Sequence, residues 1–313
     1  MPPPLVSAVL TVFDKADLLP SVLDRLRAEA GSLLGEVVAV DDGSKDASRE
    51  RLAECAAAWP ALRVLHDGAN LGPSLRLNEG AAAARGEWLL LIDADGILRR
   101  GALAGLFRLA QTHGLDALHA RVKRVQDLRA GAALGPFPAA PRLEVSERPL
   151  ATLLARRGRV RMAWLVRREC FLAAGGADPA VFVQDESLPL RLAGVARRLG
   201  LCQAAAVFEP RARYQLSGDR RQTHHDRFLA HYRYLLAHPE LPAGLQRRLM
   251  DRCFATARRA AAGDLLPDHS ELALRFRRLL LRLGLTCGAR QQLARIAALL
   301  AEAPRIRRPR VPA

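Results

Sequence analysis

The chain is 313 residues long, half of them hydrophobic, with a mean hydropathy of -0.01. That is room for one large α/β domain with an appendage, or for two domains, and no apolar run approaches the roughly 18 residues of a membrane-spanning helix. The formal net charge is +16, and with only Lys15, Lys45 and Lys123 as lysines, 45 of the 48 basic residues are arginine; this suits an anionic membrane surface or a phosphorylated substrate, whereas aromatics at 5% are too few to stack bases, so no nucleic-acid partner is expected.

Met1-Pro2-Pro3-Pro4 leads straight into an apolar run with no basic segment ahead of it, so a cytoplasmic location is expected rather than a secretory leader. Residues 5–13 read as a strand, and Leu18 to Ala30 carries apolar residues at helical spacing with Gly31 as a stop. Gly35 to Val40 is a second strand running into Asp41-Asp42-Gly43-Ser44, and Asp46 to Ala58 a helix that Ser44 or Asp46 is placed to cap. Leu62 to His66 is a short third strand, Asn70-Leu71-Gly72 a turn, and Ser74 to Ala84 a third helix.

The next stretch, Gly86 to Gly96, organises the rest. Trp88 to Ile92 is an unbroken apolar run, read as a strand buried on both faces. It ends in Asp93-Ala94-Asp95, and the period of two in extended backbone points both carboxylates the same way where the strand leaves the core. Alone, such a pair can simply open a turn or cap a helix. Here it is one of four polar clusters that directly follow strands: Thr11–Asp14, Asp41–Asp46, Asp67–Gly72 and Asp93–Asp95. Strands alternating with helices predict a mainly parallel sheet, which gathers all four on its carboxyl edge, where ligands of open α/β sheets bind. Like charges held together there call for a hard divalent ion.

Further on, Ala102 to Gln111 reads as a helix, Asp116 to Val125 as a strand and Ala130 to Arg142, rich in Gly, Pro and Ala, as a mobile connection near the site. Val160 to Arg167 is another strand. Cys170 to Gly176 is a short helix stopped by Gly175-Gly176, and Phe182 to Glu186 is a second acidic turn opening a helix through Leu199. Residues 202–208 are strand-like. From about Arg213 helices take over, at Asp226–Ala237, Leu245–Ala262, Ser270–Leu283 and Arg290–Ala301, with RIRRPRVPA expected to fray. This places an α/β domain at 1–213 and an α-helical region at 214–313. In the third of these helices Leu272, Phe276, Leu279 and Leu283 share a face that Arg275, Arg277, Arg278 and Arg282 largely avoid. The stripe either rests on an anionic leaflet, giving peripheral membrane contact, or packs on the α/β domain. The five cysteines are scattered without CxxC spacing, so neither disulfides nor a zinc site is expected.

In order and spacing, VSAVLTVFDK, VVAVDDGSKD, NLGPSLRLNEG, ARGEWLLLIDADG, LVRRECFLAAGGADP and QDESLPLRL closely resemble the family 2 glycosyltransferases, over about residues 5–200. The resemblance implies a GT-A type fold, a mainly parallel sheet flanked by helices. It implies inverting transfer of a sugar from a nucleotide-diphosphate sugar to the hydroxyl of a saccharide or lipid-linked acceptor, in envelope polysaccharide or glycolipid synthesis, with Mg2+ or Mn2+. Carried over by residue, Thr11, Val12 and Phe13 line the nucleotide pocket, Asp42 bonds the base, Asp95 ligates the metal with Asp93 beside it and nearer the ribose, and Asp185 is the general base, with Arg191 on its helix. Asn78 fits the family's donor-binding pattern and Arg76 is carried with it, though displaced from the usual place. The chain departs from the pattern at Asp14, where Asn is commoner, at Gly96, where a third acid is usual, and at Gln184, where Glu is usual. A metal-assisting histidine is missing at its expected place, and His224 and His225, a little later, suit a surface or helix-start role. The rival readings are a catalytically degenerate nucleotide-sugar-binding protein and a nucleotidyltransferase. The latter would need a glycine-rich basic loop by the first strand, and TVFDKADLLP has no glycine.

Overall fold

The computed structural model describes residues 5–31, 33–126, 135–156, 160–210, 219–263, 265–266 and 269–310. Strands β1 (Val6–Val12), β2 (Leu34–Asp41), β3 (Leu62–Leu65) and β4 (Trp88–Asp93) alternate with helices α1 (Leu19–Glu29), α2 (Ser48–Ala58) and α3 (Pro73–Ala83). They form the parallel block β3-β2-β1-β4 at one side of a nine-stranded sheet. The remaining strands are β5 (Ile97–Leu98), β6 (Ala117–Val125), β7 (Leu143–Ser146), β8 (Ala163–Arg167) and β9 (Leu199–Pro210). The sheet continues β4-β8-β6-β9-β5, with β7 also on β9. Strand β8 runs antiparallel to both β4 and β6, and β9 is parallel to β6. Two reversals restore the direction, so β9 ends on the same rim as β1, β2 and β4. The pairings Thr11 with Asp93 and Val12 with Asp41 put three polar strand ends level on that rim.

The apolar run of β4 is buried on both faces, as read from its sequence. Leu89 and Leu91 enter one core and Trp88, Leu90 and Ile92 the other. The second core is roofed by α1, α2 and α4 (Ala102–Thr112). The first takes in α3, α5 (Pro149–Ala155), α6 (Arg168–Ala173) and α7 (Gln184–Val195), and continues without a break into α8 (Arg220–Ala237), α9 (Ala243–Ala261), α10 (Glu271–Arg282) and α11 (Ala289–Ala301). The C-terminal helices therefore share a core with the sheet. Among the described residues no helix is long and apolar enough to cross a membrane.

Several expectations need correction. Helix α2 starts at Ser48, because the Asp46 carboxylate accepts the Ser48 and Ala16 N–H groups and holds the preceding turn open. Helix α7 stops at Val195, and β9 begins at Leu199, where it pairs with Ala117 and Ser146. The expected mobile connection lies outside the described residues up to 134, but past it Phe137 is buried beneath Gly105 of α4. The C-terminal tail is held as far as Arg310: Ile306 is buried, Arg307 exchanges two hydrogen bonds with Gln222, and Arg310 N–H donates to Leu71. The apolar stripe of α10 does not pack on the α/β domain. Leu274 and Leu281 turn inward, leaving Leu272, Phe276, Leu279 and Leu283 between 51% and 74% exposed.

Candidate active site

The four polar clusters meet at a cleft of about 430 Å3 on the carboxyl rim, lined by Thr11, Val12, Phe13, Asp42, Asp93, Asp95 and Asp185. The loops around it brace one another. Asp14 takes a left-handed backbone (φ 51), a region that Asn and Asp tolerate best among non-glycine residues. Its carboxylate accepts the Lys45 N–H at 2.7 Å, while its own N–H donates to Ser44 Oγ. Asp42 is 3% exposed, and its carboxylate accepts the Leu71 and Gly72 N–H groups and Arg76 Nε. Burial raises the Asp42 carboxyl above its usual value, and these three donors only partly oppose it. Gly72 is required in this turn: its φ is +99, and a Cβ would lie 2.7 Å from the Phe182 ring.

Two expected donor-binding residues lie outside the cleft lining. Arg76 is 1% exposed, and its guanidinium is engaged by Asp42, Asp67 and Glu79, so it holds the turn that carries Asn70 to Gly72. Asn78 exchanges two 2.8 Å hydrogen bonds with the backbone of Ala177. Arg191 bonds the adjacent Gly175 and Gly176 carbonyls. Asn78 and Arg191 thus brace the loop leading to Asp185, while Arg76 braces the turn beside Asp42.

Asp93 and Asp95 are joined by Glu209, from the end of β9, with one ligand atom of each within 4.8 Å of the others. Glu209 supplies the group's third carboxylate, and among the described residues neither His224 nor His225 joins it. Burial, then the charges of Asp185, Asp95 and Glu209, push the Asp93 carboxyl well above its usual range. Burial and Asp95 likewise raise Glu209, against Arg161 and Arg124. Lys15 Nζ lies 3.4 Å from Asp95 and Arg161 Nη1 2.9 Å from Glu209, so the repulsion is only partly relieved. Three oxygen donors under mutual repulsion suit a hard divalent cation, and the group fits one. Glu209 could have been found by the edge rule, as an acid ending a further parallel strand; no local motif marks it.

Asp185 sits in the first turn of α7, and each of its neighbours is anchored. The Phe182 carbonyl accepts Ser74 Oγ at 3.0 Å, Val183 N–H donates to Asp226 at 2.8 Å, Gln184 Nε2 donates to Asp93 at 2.9 Å, and Glu186 takes both arms of Arg227 at 2.7 and 2.9 Å. Asp226, fully buried on α8, also accepts from Gln222 Nε2 and faces Nδ1 of the buried His225. That helix starts at Arg220 instead of Asp226, so His225 is a buried residue of its second turn and not at its start, and Asp219 caps the helix by accepting the Gln222 N–H. The tail adds Arg307 to the cleft wall.

A mixed sheet with acidic turns gathered on one rim and helices on both faces is the architecture of nucleotide-sugar-handling GT-A proteins. The model of Glycosyl transferase family 2 matches residues 7–172, just over half the chain, and the protein belongs to that family. It is similar to the dolichyl-phosphate beta-glucosyltransferase ALG5A of Trichomonas vaginalis, 33% identical over 98 residues (29% of this chain, 30% of that one). It is also similar to the succinoglycan biosynthesis protein ExoO of Rhizobium meliloti, 32% identical over 111 residues (36% and 31%). The matches thus span about a third of these relatives' length. In fold it resembles S. aureus TarS 1-349 in complex with UDP-GlcNAc, with TM-score 0.64, 16% identity, and coverage of 94% of this chain and 83% of that one. The mannosyltransferase PcManGT from Pyrobaculum calidifontis in complex with GDP-Man and Mn2+ is also similar, with TM-score 0.59, 19% identity, and coverage of 96% and 85%.

Proposed function

We propose that the chain is a metal-dependent, inverting glycosyltransferase that moves a sugar from a nucleoside-diphosphate sugar to an acceptor hydroxyl. The observation that carries the reading is one cleft lined by both Asp185 and the carboxylates of Asp93, Asp95 and Glu209. A divalent cation, Mg2+ or Mn2+, held by Asp95, Asp93 and Glu209 would neutralise the departing diphosphate. Thr11, Val12 and Phe13 line the nucleotide end, and Asp42 meets the base through Oδ2, the less engaged of its two oxygens. Lys15, Arg161 and Arg307, all on the cleft wall, offer positive charge to the diphosphate. Asp185 takes the acceptor proton as the acceptor oxygen bonds to the anomeric carbon; the bond to the diphosphate breaks and its electron pair leaves with the phosphate. One carboxylate suffices, since a diphosphate whose charge a bound cation would neutralise needs no proton to leave.

The donor class is supported by the UDP-GlcNAc and GDP-Man complexes of the fold neighbours. A saccharide or lipid-linked acceptor, as in envelope polysaccharide or glycolipid synthesis, is supported by relatives named for dolichyl phosphate and succinoglycan. The bared stripe of α10, flanked by the largely exposed Arg275 and Arg282, suits peripheral contact with an anionic membrane face, and with it a cytoplasmic location. The test is a screen of nucleoside-diphosphate sugars for nucleotide release with Mg2+ or Mn2+. Release from one donor, abolished by chelator, upholds the reading; binding without release from any donor assigns the chain to the degenerate nucleotide-sugar binders.

A further inference from the structure

Asp185 lines two cavities. Besides the cleft, it reaches a second one of about 750 Å3, walled by α5, α7, α8, α9 and α10. Among the described residues Asp185 is the single residue they share. A base that must touch an acceptor needs an opening by which that acceptor arrives, and this cavity supplies one separate from the nucleotide cleft.

Its lining is strongly basic, with seven arginines against three carboxylates. Two of the carboxylates are engaged: Glu186 with Arg227, and Asp251 with Arg278 at 2.8 and 3.0 Å. The third, Asp185, is the residue that faces both cavities. Arg248 and Arg259 are exposed and have no carboxylate within 4 Å among the described residues. Partial burial of the Arg259 guanidinium, then the positive charges of Arg227, Arg258, Arg278 and Arg252, push it below its usual range. The basic surface continues into a neighbouring cavity through Arg227 and Arg259, which line both. Clustered forks with uncompensated charge match phosphate oxygens in geometry and sign.

We propose that this cavity is the acceptor site and that the acceptor carries a phosphate ester, held by Arg248, Arg259 and their neighbours while its hydroxyl reaches Asp185. The assignment rests on Asp185 being the base of the transferase reading and adds the chemical class of the acceptor. The phosphate can belong to a soluble phosphoester or to a lipid. Arg278 and Arg282 reach the cavity from α10, the helix whose other face bares Leu272, Phe276, Leu279 and Leu283, so a lipid-borne phosphate could approach along it.

The experiment compares the full chain with the R248Q/R259Q double variant, both changes being at exposed positions. Binding of glycerol 3-phosphate, glycerol and glucuronate is read from the rise in thermal midpoint with ligand, and that of farnesyl phosphate from retention on phosphatidylcholine vesicles carrying it. Binding of UDP with Mn2+ is the folding control. Glycerol 3-phosphate, farnesyl phosphate or both should bind the native chain and at least tenfold more weakly the variant, with UDP affinity equal within twofold. Tighter binding of farnesyl phosphate than of glycerol 3-phosphate names a lipid source, and the reverse a soluble one; either upholds the assignment. Phosphate binding that survives in the variant, absence of phosphate binding to the native chain, or glucuronate binding as well as glycerol 3-phosphate overturns it. The two readings separate: a donor screen without nucleotide release but with arginine-dependent phosphate binding sinks glycosyl transfer and leaves the cavity a phosphoester site. Nucleotide release with no arginine-dependent phosphate binding sinks the acceptor assignment alone.

Discussion

Asp226 connects the C-terminal helices to the proposed base, and its removal has a calculable effect. The fully buried carboxylate accepts Val183 N–H at 2.8 Å and Gln222 Nε2 at 3.0 Å, and faces His225 Nδ1 at 2.7 Å. Val183 is the residue immediately before α7, two before Asp185. In Asp226→Asn the amide can accept on one side only, so at least one buried donor loses its acceptor, for about 1–3 kcal/mol. In Asp226→Ala, Val183 N–H and His225 Nδ1 lose this partner and Gln222 Nε2 keeps only the Arg307 carbonyl, around a void, and the loss should be about 3–5 kcal/mol, a large part of the roughly 5–15 kcal/mol that holds a domain folded. The Asn variant is therefore the informative one. Releasing Val183 loosens the first turn of α7, and a displacement near 1 Å at a reacting group lowers rate by about 100-fold. The donor-side carboxylates Asp93, Asp95 and Glu209 belong to the sheet and stay in place. Urea unfolding should show the stability loss, and nucleotide-release kinetics on a donor found by screening should show kcat falling with the affinity for UDP and Mn2+ unchanged within twofold. If kcat fell only as far as the folded fraction, or if nucleotide binding fell in parallel, Asp226 would be a purely structural residue and the coupling would be wrong.

Asp185→Asn should lower kcat by about 100-fold or more, the range for a missing general base, with nucleotide affinity nearly intact by calorimetry; normal turnover would remove its role. Glu209→Gln should weaken Mn2+-dependent UDP binding by roughly tenfold or more as one anionic oxygen ligand is lost, while metal-free binding changes little; equal effects with and without metal would show Glu209 is no ligand. Arg307→Ala should weaken UDP binding by roughly tenfold, as loss of a charge-assisted hydrogen bond does, with a smaller effect on UMP. Glu36 provides a pH test: burial alone would raise its carboxyl, but Ser7 Oγ, the Arg85 N–H and the Arg63 guanidinium together hold it below the usual value. The unfolded chain then takes up the proton first, so this contribution is present above about pH 4.5 and fades as pH falls through the lower folded value; Glu36→Gln should be less stable than the native chain at pH 7, by a margin that narrows in acid urea titrations.

The parallel block and its rim were legible because they rest on local signals: an apolar run that must be buried on both faces, and polar residues directly after each strand. Glu209 escaped because its place on the rim depends on two antiparallel pairings, which no neighbouring residue announces. Arg76 and Asn78 were placed on the right helix, but the protein groups that engage them were not foreseen. Periodicity tells where a side chain leaves α3; it does not tell that Asp67 and Glu79 will claim Arg76 or that Ala177 will come beneath Asn78. The same limit holds for α10, whose stripe was correctly seen in the pattern, while Leu274 and Leu281 won the contact with the core. The tail looked frayed from its Arg and Pro content, yet Gln222 satisfies the Arg307 backbone in both directions.

These residues divide the proposed reaction between two parts of the chain. The family match ends at residue 172, and the donor-side loops, with Asp93 and Asp95, lie inside it. Asp185, Glu209, Asp226 and most of the arginine cavity lie beyond it, and the first turn of α7 is pinned from the C-terminal side by Asp226 and Arg227. A nucleotide site built on strand ends can stay constant while helices α8 to α10 diverge, because the rim does not depend on them for its register. The acceptor side has no such independence, since its base and its charged wall are both positioned by those helices. Grafting α8 to α10 from another member of the family, with Gln222 kept so that Arg307 stays on the cleft wall, should therefore change acceptor choice and turnover while leaving the affinity for nucleotide and metal near that of this chain, and a graft that altered nucleotide affinity as strongly as acceptor choice would contradict this division.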